Sequence, residues 1–575
     1  MQLSQEAFVS GPTEPPLWLK TFGRFVDEQA ATYSTKTATV FPWQDISLTY
    51  EQLAERSQHL ANAMLRMGFR QGDCVGIMAG NSCQHVEVFL GGARIGCPIA
   101  SLHSTYTPEE LKEASLQTSC KLVFIASHLG NRNLSTHIHM MHKWMSSGAL
   151  PNLQGVVRIG QTDHKEYNVG LHTYEDLLLG HKTGTMDPDA DETSILLQAE
   201  KAVKPDDVVN FEFTSGTTGE PKAAALTSIN LLGNGRLVGD RMQLTPDDIV
   251  CSPLPLFHGF GIIVALLASL SHGSSVVFPS DRCDPHATLE VIQDYTPTTL
   301  LGVPTMFLAE IEAMRAEELN TSLRKAVVGG SPVSSALVKN LRTRMKIREI
   351  FVAYGMTETG LTFMGNLDDQ EDELSGLVGH VMPHICAKVL DNNGRTVRPG
   401  QKGELCTSGY SLQEGYYNNE TKTSEVMTRD NKGRLWMHTG DEAIIYENGY
   451  CRVIGRIKDI IIRGGENISP LEIEERLVSH PSICEASVLG LPDPRYGELV
   501  ACFLKSATGA KLSTEEVQLW ARKTLAWHKA PVHVFWIGEP GVGDDFPRTG
   551  SGKYQKGIMQ KTGRWLIAAG TDWIV

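Results

Sequence analysis

Apolar positions along the first third of the chain follow two alternating periods. Around 48–68, Leu53, Leu60, Ala61 and Met64 recur at helical spacing behind a Thr49/Gln52 capping box, and Gly68 closes the run, which predicts an amphipathic helix. Short β-rich runs at 74–78, 97–100 and 122–125 are separated by helical patterns around 86–93 and from Pro108. Strand and helix in alternation predict a doubly wound parallel sheet. Over 127–195 the pattern fades into His-, Asn-, Gly- and Asp-rich sequence, to which no element or function is assigned.

The alternation resumes with a β-rich run at 207–213 and a helix over 230–242. Strand ends follow near 249, 275–278, 299–302, 326–329 and 350–353, with helices from His286 and near 306–313. The strand ends that break into glycine turns at Gly330 and Gly355 are expected on the same side of the sheet as the 213–222 loop, where ligands sit in α/β folds. The longest apolar run, 260–270, falls well short of the ~20 residues that span a bilayer and predicts a buried helix. From about 376, short strands with frequent glycine turns predict a small β-barrel or sandwich. Beyond 459 come a helix near Pro470, strands at 486–489 and 499–504, and a helix capped by Ser513 and Glu516. The fold class is therefore α/β: a large N-terminal domain, 1–456, made of two packed α/β subdomains plus a small β-barrel, and a small α+β C-terminal domain, 457–575.

The length of 575 residues is too great for a single core. A net charge of -14 argues against a nucleic-acid surface, because phosphate backbones select basic faces. The eleven cysteines form no C-x-x-C pair, the pattern of a reduced, intracellular chain without a metal framework. The first residues include Glu6 and no apolar signal core, and the last do not form a Ser-Lys-Leu address. A cytoplasmic protein with no transmembrane segment is expected, with peroxisome and mitochondrion left open.

Candidate chemistry concentrates in 213–222, Phe-Thr-Ser-Gly-Thr-Thr-Gly-Glu-Pro-Lys. Thr214, Ser215, Gly216, Thr217, Thr218, Gly219, Glu220, Pro221 and Lys222 combine hydroxyl donors, small residues that let backbone N–H groups approach an anion, and one cation, which is what a polyphosphate requires. The loop is not a Walker A motif, since Pro221 precedes Lys222 and Ala223 follows it. His258 lies in a Pro/Gly-punctuated turn between Phe257 and Phe260. A lone histidine is most often structural; the two aromatics suit the mouth of an apolar pocket, and His258 is counted among the candidate catalytic residues.

The 213–222 loop, Tyr-Gly-Met-Thr-Glu at 354–358, Thr-Gly-Asp at 439–441, Gly-Arg-Ile-Lys-Asp at 455–459, Arg-Gly-Gly-Glu-Asn at 463–467 and Pro-Arg-Thr-Gly-Ser-Gly-Lys at 547–553 occur in this order. Together they resemble the adenylate-forming superfamily of acyl-CoA synthetases, most closely its medium-chain fatty acyl-CoA synthetases and fungal secondary-metabolite ligases, over roughly residues 20 to 560.

That resemblance implies an ATP-dependent acid–CoA ligase. A carboxylic acid and ATP give acyl-AMP and pyrophosphate, and the CoA thiol then displaces AMP. It implies that the 214–222 loop holds the β- and γ-phosphates, that Thr357 touches the α-phosphate and that Glu358 helps hold Mg2+. Lys553 would bridge the attacking carboxylate and the α-phosphate, and Asp441 with Arg456 would hold the ribose. Gly330, Ser331, Pro332, Ala353, Tyr354 and Gly355 would wall the adenine. For the second step the small domain would rotate about Lys458, bringing Arg463, Gly464 and Gly465 to the thiol, with Lys529 on CoA phosphates. Ala223 and Ser228 depart from the residues common in the family, and neither supplies a phosphate donor.

The acyl pocket is expected among Phe257, His258, Gly302, Thr305, Met306, Val352, Met356 and Leu361, with Gly329 and Gly360 beside them. None of these is a carboxylate, which disfavours an amino-acid substrate and favours an apolar or weakly polar acid. An adenylating enzyme that loads a carrier protein, and an inactive nucleotide- or acyl-binding homologue, stand as alternatives. Retention of Lys553 and Glu358 argues against the inactive one, because a mere binder needs no transition-state cation.

Overall fold

The structure, a computed structural model, describes residues 6–160, 172–178, 192–214, 221–314, 322–367, 369, 376–507, 509–550 and 552–571. The predicted first helix forms over Tyr50–Arg66, with the reciprocal Thr49/Gln52 bonds in place and Leu53, Leu60, Ala61 and Met64 buried. It packs beside the helix Cys83–Arg94, whose buried Arg94 is held by Asp27 and Glu200. A buried guanidinium needs such partners, since removing one would leave the charge uncompensated.

Two separate sheets organise the large domain. The first has eight strands; its order begins at His172–Thr173 and runs through Gly155–Ile159, Leu122–Ala126, Val75–Met78 and Ile99–Ser101 to Val208–Thr214, all parallel. Lys222–Thr227 and Gly415–Tyr416 then add antiparallel. The second has nine strands, with a parallel centre of Glu349–Met356, Lys325–Gly329, Thr299–Gly302, Ile249–Cys251, Ser275–Val277 and Thr37–Phe41. The strand carrying 213–222 and the strands ending near Gly330 and Gly355 thus belong to different sheets. The expectation of one shared sheet is corrected: strand periodicity sets which face of a strand is buried, not which sheet it joins.

Between the sheets lie the helix Ser228–Arg241, capped by Thr227 and Asn230, and the apolar run Phe260–Leu267, which is wound as a π-helix and is buried along its whole length. No helix among the described residues is long and apolar enough to cross a membrane. The region of faded pattern contributes a helix at Ser135–Ser146, the strand Gly155–Ile159 and the edge strand His172–Thr173 beside it.

After 376 the chain builds a six-stranded antiparallel sheet that also takes in the strand Phe8–Ser10. Its strand Cys451–Arg456 pairs with Leu435–Ile445. A short turn, Ile457–Asp459, follows before Ile461–Arg463 enters a separate five-stranded sheet. That sheet carries its own core, including Ile473, Leu477, Val488, Val500 and Trp536. The eleven cysteines are all free thiols.

Candidate active site

The loop 215–220, and with it Ser215, Gly216, Thr217, Thr218, Gly219 and Glu220, lies outside the described residues. Its two ends are described. Thr214 and Lys222 face each other across an antiparallel pair, so the segment joins two neighbouring strands rather than a strand and a helix. The Lys222 ammonium stands 4.9 Å over the Tyr416 ring. The Tyr416 hydroxyl donates to Glu358 Oε1 at 2.7 Å, and Glu358 is buried.

A second group forms on the antiparallel sheet. Asp441, 5% exposed, accepts the Tyr354 hydroxyl on Oδ2 at 2.6 Å and pairs through Oδ1 with Arg456 Nε at 2.7 Å. Asp441 and Arg456 sit opposite each other in register. Burial raises the Asp441 carboxyl above its ordinary range, against the pull of Arg456. Next to it, the Thr439 hydroxyl donates to the Leu405 carbonyl and the Gly440 N–H to Glu404, whose other oxygen meets His438 Nδ1 at 2.8 Å. These bonds fix the turn that presents Asp441.

Glu212 joins the two sheets. It projects from Val208–Thr214, and its Oε1 accepts the Gly259 N–H at 2.6 Å and the Thr357 hydroxyl at 3.3 Å. Its carboxyl is 1% exposed, and Oε2 has no protein hydrogen-bond partner. Burial pushes it up to about 7, with the Glu358 charge adding to the effect and Lys553 opposing it. His258 Nδ1 lies 4.0 Å from Glu212 Oε1 and accepts the Phe260 N–H at 3.1 Å. The ring is therefore neutral, with its proton on Nε2. Burial and the positive charge of Lys553 and His103 push it down to about 3.

Sequence reasoning did not single out Glu212. The signal was present: a carboxylate in the run Val-Val-Asn-Phe-Glu-Phe, which is otherwise that of a buried strand and where an acidic residue is costly without a purpose. It also removes the premise that the pocket near Phe257 and His258 contains no carboxylate.

The small domain reaches this cluster through its last loop. The Thr549 N–H donates to the Lys553 carbonyl at 2.8 Å, and the Lys553 N–H donates to the Thr549 hydroxyl at 3.1 Å, closing a tight turn. Gly552 (φ +84°) comes so close to the large domain that a Cβ there would lie 3.3 Å from Thr305 Oγ1. Gly550 approaches Phe257 Cζ in the same way at 3.2 Å, and a Cβ on Gly330 (φ +81°) would stand 4.0 Å from Lys553 Cε. The Lys553 ammonium is held below its ordinary value by burial and by Arg456, while Asp441, Glu358 and Glu212 act in the opposite direction.

The remaining candidates are placed as follows. Ser331 and Pro332 are exposed beside Gly330, and Ala353 is buried. Met306 and Leu361 belong to the large core that also contains Phe260 and Val303. Gly302 abuts the Phe307 ring, Val352 packs in the second core with Val328 and Leu337, and Met356 packs against Leu412, Met427 and Met437. Arg463, Gly464, Gly465 and Lys529 gather on the small domain: Arg463 donates to the His528 carbonyl and covers the Tyr496 and Trp527 rings, and Lys529 pairs with Glu472 at 2.6 Å. Gly464 and Gly465 both have positive φ. Lys458 is exposed in the Ile457–Asp459 turn.

Two sheets and an antiparallel unit that bring the buried carboxylates of Glu212, Glu358 and Asp441 near Lys553 of the C-terminal region define a class that comparison with known proteins identifies. Residues 26–417 match the AMP-binding enzyme model, and residues 472–553 match the AMP-binding enzyme C-terminal domain. Acyl-CoA ligase SID4 of Ajellomyces capsulatus is 43% identical, covering 98% of this chain and 94% of that protein. The bovine mitochondrial medium-chain acyl-CoA ligase ACSF2 is 31% identical, over 96% of this chain and 88% of its own. Among solved structures, ATP-bound MatB from Rhodopseudomonas palustris superposes with a TM-score of 0.78 at 25% identity, covering 94% of this chain and 99% of its own. The chain belongs to the AMP-binding enzyme family, and within it to the acyl-CoA ligases.

Proposed function

We propose that this acyl-CoA ligase activates an apolar or weakly polar carboxylic acid with ATP at the cleft between Glu212, Thr357, Glu358, Asp441 and Lys553, and then passes the acyl group to CoA. The observation that carries the reading is the seat of the 549–553 loop against Phe257, Thr305 and Gly330, which puts a lysine from the far end of the chain among the buried carboxylates of the large domain. An anionic nucleophile must approach a polyanion in the first step, so a fixed cation at that point lowers the barrier. Lys553 would meet both the acid carboxylate and the α-phosphate. Asp441 is an acceptor-only group with two oxygens, suited to paired ribose hydroxyls.

Mg2+ fits the residues present. Glu358 is a buried carboxylate with one oxygen engaged by Tyr416, and beside the Thr357 hydroxyl it offers the hard oxygen donors that this ion takes together with water and phosphate oxygens. The bound ion would neutralise phosphate charge. Arg463, Gly464, Gly465 and Lys529, gathered on the small domain, are the candidate CoA surface, and Lys458 in the interdomain turn is the candidate hinge.

ATP–pyrophosphate exchange over a panel of acids, followed by AMP release with CoA or a carrier protein, tests the reading. Exchange with at least one acid and CoA-dependent AMP release are expected; exchange with none would overturn it. In the same assay, Asp441→Asn is expected to raise the KM for ATP roughly tenfold to a hundredfold, the worth of one or two hydrogen bonds to a charged acceptor.

A further inference from the structure

Away from Glu212, Glu358 and Lys553, the antiparallel sheet carries a second set of side chains with ligating chemistry. Among the described residues, Glu404, Cys406 and His438 form the only group of three histidine, cysteine or carboxylate side chains whose ligand atoms all lie within 4.8 Å of one another. Cys406, on the strand Lys402–Gly409, stands opposite His438, on Leu435–Ile445, in an antiparallel pair. Glu404 is two residues before Cys406 and shares its face of the sheet, because side chains alternate along a strand. The register shifts between Glu404 and Cys406, and such an irregularity re-aims a side chain. Both residues therefore bear on one ring atom: His438 Nδ1 lies 2.8 Å from Glu404 Oε2 and 3.5 Å from Cys406 Sγ.

We propose that these three side chains form a binding site for a divalent transition-metal ion, Zn2+ before others, with water as its fourth ligand. The donor set selects the ion: sulfur, imidazole nitrogen and carboxylate oxygen together suit Zn2+, whereas Mg2+ takes oxygens. Bonds of about 2.3 Å to sulfur and about 2.0 Å to nitrogen give a tetrahedral edge of about 3.5 Å, which is the spacing of Cys406 Sγ and His438 Nδ1. The carboxylate oxygen is nearer because it shares a proton with the ring, and it would move out by about half an ångström to reach its own edge. Binding displaces the thiol proton to solvent.

The groups behind the ligands suit the same role. His438 Nε2 lies 3.1 Å from Thr428 Oγ1, and a hydroxyl that accepts the Nε2 proton leaves Nδ1 free for an ion. Glu404 Oε1 accepts the Gly440 N–H at 3.2 Å, which leaves Oε2 toward the cluster. Lys388, opposite Cys406 on the other neighbouring strand, holds its ammonium 4.0 Å over the Trp436 ring. Cys406 is buried, but the His438 and Glu404 side chains are 28% and 27% exposed, so an ion can enter from their side. Cysteine spacing along the chain carries no sign of the site, since strand pairing brings Cys406 to His438 across 32 residues.

The test uses the full chain, treated with a chelator, kept reduced and assayed in excess Mg2+. Zn2+ is titrated in competition with a chromophoric chelator, and Co2+ is used in its place as a spectroscopic probe. One tight equivalent per chain is expected, and the cobalt form should show a thiolate-to-metal charge-transfer band beside the visible bands of a tetrahedral ion. Cys406→Ser should abolish the charge-transfer band, and Cys406→Ser and His438→Gln should each weaken Zn2+ binding by at least roughly tenfold to a hundredfold. Circular dichroism checks that the variants fold; if Cys406→Ser does not, His438→Gln, on the solvent side of the cluster, decides. Failure of the wild type to compete with the chelator, a cobalt spectrum without the thiolate band, or binding that is unchanged in the folded variants and so belongs to other thiols, overturns the proposal.

Discussion

Lys553→Ala is expected to slow acyl-adenylate formation by at least roughly a hundredfold to a thousandfold, the cost of removing one preorganised charge from a transition state, while leaving the thioester-forming step from supplied acyl-AMP close to the wild-type rate. The asymmetry follows from geometry. Lys553 enters the cleft on a loop of the small domain, with Gly550 and Gly552 within contact distance of Phe257 and Thr305, whereas Arg463, Gly464 and Gly465 lie on another part of the same domain, against Tyr496 and His528. One domain carrying two such surfaces can present them in turn by rotating about the Ile457–Asp459 turn. Single-turnover measurement of each half-reaction separates the cases. Equal loss of both would contradict an alternating domain.

Glu212→Gln should stabilise the protein above neutral pH relative to the wild type. The folded-state value of Glu212, about 7, lies above its ordinary 4.5, so the folded protein binds the proton more tightly than the unfolded chain. Its favourable contribution is therefore complete below pH 4.5 and is lost as pH rises through about 7. Two and a half pH units of difference correspond to about 3 kcal/mol at most. The amide can keep the acceptor for Gly259 and Thr357 and has no proton to lose. Denaturant unfolding of both proteins across pH 5 to 8 checks this: the stability gap should grow with pH and level off past about 7. A gap independent of pH would show that Glu212 is already ionised in the folded state.

The parts of the fold set by short-range chemistry were readable from the residues. The Thr49/Gln52 and Ser513/Glu516 capping boxes form where the sequence puts them, because a cap depends only on residues three apart. The helix Pro304–Ala313 and the strand Leu122–Ala126 follow the period of their apolar residues. What depends on long-range pairing was not readable. Nothing local shows that Val208–Thr214 and Lys325–Gly329 lie in different sheets, or that Phe8–Ser10 pairs with Ile385–Leu390. The helix Ser135–Ser146 escaped notice because only His137, Ile138 and Met141 are buried along it, too few apolar positions to impose a period.

The cleft divides in the same way. Thr357, Glu358, Asp441, Arg456 and Lys553 stood out through ordered motifs; the structure brings Glu358, Asp441 and Arg456 within electrostatic reach of Lys553, and Thr357 donates to Glu212. Glu212 and Tyr416 belong to no such motif. Their roles follow from partners distant in sequence, Gly259 and Thr357 for the first and Glu358 for the second. A carboxylate inside an apolar strand is the kind of local inconsistency that marks a working site.

The most direct test of the central claim is a structure of the protein with a non-hydrolysable acyl-adenylate analogue. The account predicts the Lys553 ammonium at the acyl-phosphate linkage and the Asp441 carboxylate on the ribose hydroxyls of the same molecule. An adenylate bound with Asp441 on its ribose but with Lys553 turned away in the adenylating arrangement of the domains, or bound outside this cleft, would contradict it.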